Sequence, residues 1–166
     1  MKHMSRILLL VSLLFVSTDA VSAQMNATEG LNRLKALAGE WEGDGGPNES
    51  SITISYEIVS GGEAVIETRA PLNEPTMVTV FHLDGDSLML THYCSAGNQP
   101  RMRAVALTDE IMDFNFVDVT NLSEPAEGHM RGLTFHFDSE DIMRQVWTWH
   151  QGGEDTSSSF VLKRID

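Results

Sequence analysis

Apolar positions recur along this chain with two different periods, and the change from one to the other divides it. Over residues 26–38 the spacing is helical. Leu31, Leu34, Leu37 and Ala38 fall on one face, Asn26 can cap the N-terminus with Glu29 three residues on, and Gly39 follows as a C-cap. This predicts one short helix. From Ser50 onward the period is two. Ile52, Ile54, Tyr56 and Ile58 share a face, and Ser60-Gly61-Gly62 turns that strand into a second over 64–69. Further strands are expected over 77–83, 87–94, 101–107, 111–117, 129–138, 142–150 and 156–164. Before all of them stands Gly39-Glu40-Trp41-Glu42-Gly43-Asp44-Gly45, where glycines around a tryptophan let a strand bend sharply. Ten short strands without intervening helices predict an all-β fold, an antiparallel up-and-down barrel, with the N-terminal helix and Trp41 closing one end.

Loop lengths give that barrel a direction. Every second connection is tight, at 60–62, 84–86, 108–110 and 139–141. The others are longer, at 44–49, 70–76, 95–100, 118–128 and 151–155. Connections in a meander alternate between the two ends, so one end is closed and the other is a mouth where binding residues gather. Alternation places His92 and Cys94 on the face of Leu88 and Leu90, and His129 and Arg131 on the face of Leu133, Phe135 and Phe137. Met112, Phe114, Phe116, Trp147 and Trp149 are expected to face them. The lumen should be aromatic and Met-rich at depth and polar near the mouth, although side chains can also fill a narrow barrel completely.

Composition adds a compartment and a charge. Residues 1–23 read as a secretory signal peptide: Lys2 and Arg6 precede an apolar run at 7–17 that is short of the about 20 residues a spanning helix needs, and Val21-Ser22-Ala23 offers a cleavage site. The mature chain, 24–166, is one domain's length, secreted or periplasmic, with no stable membrane insertion expected once the leader is gone. Loss of Lys2, Arg6 and Asp19 with the leader takes the formal charge from −13 to −14. Such a surface repels phosphate backbones, which argues against nucleic acid as a partner. Cys94 is the single cysteine, so the chain forms no internal disulfide.

The candidate site centres on residues 90–102, which hold His92, Tyr93, Cys94, a Gly-Asn-Gln-Pro turn and Arg101, with Arg103 beyond. Cys94 is either a small buried residue or a nucleophile. His92 and His129 either hydrogen-bond the rim backbone or bind a metal, yet no zinc-like ligand spacing is present. Arg101 and Arg103 share a face: turned inward they clamp a carboxylate, turned outward they are solvated charge. Asn98 and Asn121 sit in mouth loops, where turn chemistry is their ordinary role. The candidate ligand-binding set is therefore His92, Cys94, Asn98, Arg101, Arg103, Asn121, His129, Arg131, Trp147 and Trp149, with no catalytic or metal residue assigned.

The segments 37–43, 59–68 and 82–86, together with Thr91-His92-Tyr93-Cys94 and Asn98-Gln99-Pro100-Arg101-Met102, resemble a family of uncharacterised exported bacterial lipocalin-like proteins. That resemblance implies the barrel and export, and no activity. Gly39-x-Trp41-x-Gly43-x-Gly45 is more distantly similar to the opening of nitrobindin-type haem barrels. Those hold iron through a histidine of the final strand, and residues 156–166 contain none. Three readings follow. The first is an exported binder of a small apolar or amphipathic molecule, without a cofactor. The second is an isomerase- or hydrolase-type enzyme using His92 as base, with Cys94 or Tyr93 as partner and an arginine for an anion. The third is haem binding through His92 or His129, since His150 is expected to point outward.

Overall fold

The computed structural model of the protein describes residues 23–46 and 50–165. All of the expected leader except Ala23 lies outside the described residues. Helix α1 spans Ala27–Lys35. Asn26 caps it: its side chain accepts from the Glu29 backbone N–H while the Glu29 carboxylate accepts from the Asn26 N–H, so both groups of the capping box are satisfied. The helix ends at Lys35, before the expected 38. The carbonyls left at that end are taken by a cation from the far end of the sequence: Arg164 donates to Ala36 O at 2.9 Å and to Ala38 O at 2.8 Å. A basic group beside a helix C-terminus satisfies orphan acceptors and complements the helix dipole. Gly39, expected as the C-cap, instead opens the first strand at a φ of 124°.

Ten strands follow: β1 Gly39–Gly45, β2 Ser50–Val59, β3 Ala64–Pro71, β4 Met77–Asp84, β5 Ser87–Tyr93, β6 Gln99–Leu107, β7 Ile111–Thr120, β8 His129–Phe137, β9 Ile142–Gln151 and β10 Glu154–Arg164. Each pairs antiparallel with its sequence neighbours, and β1 pairs with β10, so the sheet closes into a barrel without a free edge. Closure depends on Gly43. A Cβ there would lie 1.9 Å from the Val161 carbonyl oxygen across the seam, a contact that only glycine avoids.

The tight turns lie at one end, and the helix covers that end as expected. Leu31, Leu34 and Leu37 are buried there, Met25 N–H donates to Leu107 O, and the Trp41 indole N–H donates to Leu37 O at 2.9 Å. Behind this plug the barrel is packed. Phe81, Phe114 and Phe135 are fully buried with ring centroids 5.8–6.3 Å apart in tilted and edge-on contacts, among Leu90, Met102, Met112, Leu133 and Met143. Ile58, expected to share the inward face of β2, lies at the strand's end and is 45% exposed. Among the described residues no helix is long and apolar enough to cross a membrane.

Candidate functional site

Packing stops about halfway along the barrel, at a ring of polar side chains that cross-strand pairing brings into line. Tyr56 on β2 stands opposite Glu67 on β3, Glu67 opposite Thr79 on β4, and Thr79 opposite His92 on β5. Arg69, two residues beyond Glu67, points to the same face, and Gln145 arrives from β9. All six are buried. Glu67 accepts from the Tyr56 hydroxyl at 2.6 Å, from Gln145 Nε2 at 2.6 Å, and from Arg69 Nη1 at 3.4 Å. Gln145 Oε1 in turn accepts from Arg69 Nη1 at 2.5 Å and from the Trp147 indole N–H at 3.1 Å. A buried carboxylate needs this much company, because an uncompensated charge in an apolar interior is costly. Burial, and after it the Glu67 charge, pushes the Tyr56 phenol well above its ordinary value, so it remains a hydrogen-bond donor.

Above this ring lies a cavity of about 940 Å³ that opens at the long-loop end. Its walls are apolar, with Ile52, Met77, Met130, Trp147, Trp149 and Phe160 prominent. Its polar lining includes Glu74, Ser95 and residues 156–159, with Arg69 and His92 buried among them. The Arg69 guanidinium lies 4.6 Å from the Phe160 ring centroid and 5.2 Å from that of Trp147, and the His92 ring lies 4.6 Å from Trp147. Each presents a buried nitrogen, Arg69 Nη2 and His92 Nε2, that has no hydrogen-bond partner among the described residues. The other ring nitrogen of His92, Nδ1, is 2.9 Å from Thr79 Oγ1. Burial, reinforced by the positive charge of Arg69, lowers the His92 pKa to about 3, so the imidazole is uncharged at neutral pH.

Of the ten expected site residues, four line this cavity: His92, Cys94, Trp147 and Trp149. Cys94 is half-buried at the rim. Arg101 and Arg103 point outward, and Arg101 is held by Asp118, with its Nε donating to Oδ1 at 2.6 Å. Arg131 is also outside. A bulge between Met130 and Gly132 resets the alternation of β8, so Met130 faces the cavity while Arg131 meets His150 and Asp155 on the exterior. His129 is buried against Phe116, its Nδ1 3.0 Å from Glu127 O, and does not reach the cavity. Phe116 sits over His129 and borders a shallow outer hollow, not the lumen. Asn98 is fully buried behind the rim, donating to Gly128 O at 2.9 Å. Asn121, at a φ of 60°, donates to Gly97 O at 2.6 Å. Both asparagines tie mouth loops together.

Glu67, Arg69 and Gln145 were missed because charged and amide side chains on an alternating strand normally face water, and Tyr56, on the face of Ile52 and Ile54, reads as core alone. A signal was present. The 60–62 turn aligns Tyr56 with Glu67, so the inward face of Ile52 and Ile54 continues onto the carboxylate.

The same geometry bears on catalysis. Tyr93 is half-exposed on the other face of β5, which removes it as a partner for His92. A histidine with a pKa near 3 is also a poor base at neutral pH. Among the described residues no group of three or more His, Cys, Asp or Glu is placed to hold a metal ion.

A closed ten-stranded barrel, packed at one end and hollow at the other, is thus the class of protein defined here. Neither a family model nor a curated protein matches the chain. Solved structures do. One is a protein of unknown function from the DUF3598 family of Nostoc punctiforme, with a TM-score of 0.57, 11% identity and 80% of this chain covered. This chain spans about half of that protein, 48% of its length. Another is Rv2717c of M. tuberculosis, with a TM-score of 0.56, 16% identity, 82% of this chain and 98% of that one covered. At such identities the likeness is one of fold.

Proposed function

We propose that the protein is an exported carrier or sensor that binds a small, mostly apolar molecule in the mouth cavity. The observation that supports it most is the cavity itself: about 940 Å³, lined by aromatic and Met side chains and by two residues, Arg69 and His92, that each hold a buried nitrogen without a hydrogen-bond partner among the described residues. Pockets for small molecules run to about 300–1,000 Å³ and combine apolar walls with a few convergent polar groups. Export rests on the leader-like residues 1–23, and the formal charge, −13 with the leader and −14 without Lys2, Arg6 and Asp19, favours a neutral or cationic ligand over a polyanion. The test is a thermal-shift and native-mass screen of the mature protein against lipids, quinones, sterols and haem, with Ser158→Phe alongside. Ser158 is a small residue lining the cavity beside Trp147, and a phenyl ring there fills the space. Binders that stabilise the wild type and leave Ser158→Phe unmoved support the reading. Compounds that act equally on both, or none at all, refute it.

Haem is a second reading, favoured by one observation: the uncharged His92 lines the cavity and its Nε2 has no hydrogen-bond partner among the described residues. His129 and His150 lie outside it, so His92 is the iron ligand this reading requires. Titration with hemin decides it. A saturable Soret band that His92→Ala abolishes supports it, and broad unsaturated absorbance removes it.

A further inference from the structure

Resting on the binding reading above, the geometry points to the ligand's chemical class: we propose that it carries an uncharged, carbonyl-type oxygen at its buried end, received by Arg69 Nη2 and His92 Nε2.

Two residues that line the cavity each hold a nitrogen without a hydrogen-bond partner among the described residues, and both residues lie against one indole. The Arg69 guanidinium carbon lies 5.2 Å from the Trp147 ring centroid and the His92 ring 4.6 Å from it, so both polar residues border the same part of the cavity wall. Arg69 Nη2 can only donate. When the Thr79 hydroxyl donates to His92 Nδ1 across their 2.9 Å contact, Nε2 carries the ring proton and donates too. The feature that fits two unpartnered donors is an acceptor, and a carbonyl oxygen has two lone pairs for them.

Charge decides between a carbonyl and a carboxylate. The Arg69 guanidinium is already answered by Glu67, and Glu67 is itself held by Tyr56 and Gln145. A ligand carboxylate would therefore add one unbalanced negative charge beside an existing carboxylate, in an apolar surround. A neutral carbonyl accepts the same two N–H groups and brings no charge. The walls supply the rest of the recognition: Trp147, Trp149 and Phe160 favour a flat, apolar body, as in aryl ketones and quinones.

The experiment compares three probes of one shape at neutral pH, by calorimetric titration of the mature protein: acetylnaphthalene, isopropenylnaphthalene, in which a methylene replaces the carbonyl oxygen, and naphthoate. The ketone is expected to bind about ten- to a hundredfold more tightly than the alkene, the usual return for a hydrogen bond to a charged donor. Naphthoate is expected to bind more weakly than the ketone. His92→Phe keeps a ring against Trp147 but loses Nε2–H, and should bring ketone and alkene closer together without weakening the alkene. Equal affinity of ketone and alkene overturns the assignment while leaving the binding reading intact. Tightest binding of naphthoate overturns it in favour of an anion site. Failure of all three to bind overturns the assignment, while the binding reading is decided separately by the ligand screen and its Ser158→Phe control.

Discussion

A guanidinium that is 3% exposed stays folded inside a barrel only while its charge is answered, and at Arg69 the answering group is Glu67. Arg69→Met leaves that carboxylate buried without its cation. The expected loss is about 3–5 kcal/mol in denaturant unfolding, and adding Glu67→Gln should recover a good part of it. If the double variant were as unstable as the sum of the singles, the two residues would not be acting as a pair. His92 gives a different signature. Its folded pKa of about 3 lies below the unfolded value of 6.5, so below pH 6.5 the unfolded chain binds a proton that the folded one refuses. The stability it contributes is full above about 6.5 and drains away as the pH falls toward 3. Relative to His92→Gln, the wild type should lose roughly 1 kcal/mol per pH unit between pH 6 and pH 4. Parallel stability curves for the two proteins would mean that His92 is protonated alike in both states.

At the scale of elements, strand number and direction were legible because they depend on period and loop length, which the chain displays openly. Helix α1 was legible from Asn26 and Glu29, but its end was not, since Arg164 completes it from the opposite end of the sequence. Side-chain direction failed where alternation is broken. The β8 bulge at Met130/Gly132 put Arg131 outside and Met130 inside, and a second irregularity lets Arg101 pair with Asp118 and Met102 with Phe116, skipping Val117. Neither bulge is marked by an obligatory residue type, so periodicity alone cannot place them. The seam between β1 and β10, by contrast, is marked by its glycine. Gly43→Ala drives a methyl group into the Val161 carbonyl and must separate the two strands. It should cost at least about 2 kcal/mol in unfolding experiments and accelerate amide exchange along β1 and β10 before the other strands. Unchanged exchange at that seam would contradict the close approach.

The whole molecule is two halves in series, and this organises both stability and function. The helix, Trp41 and the phenylalanine cluster form a dry, packed half. The half beyond the polar ring is left open, and the mouth loops are fastened by Asn98 and Asn121. Whether the lumen is filled or hollow was not legible in the sequence, because the residues that divide it, Glu67, Arg69 and Gln145, read as surface. The three tryptophans report on the halves separately. Trp41 lies at the closed end with its indole N–H on Leu37 O, while Trp147 and Trp149 line the cavity with theirs on Gln145 and Gln151. The most direct test of a ligand site at the mouth is therefore the indole N–H spectrum of nitrogen-15-labelled protein titrated with acetylnaphthalene. The structure predicts saturable shifts of the Trp147 and Trp149 signals while Trp41 stays where it is. No shift at all, or a shift of Trp41 equal to the other two, would contradict it.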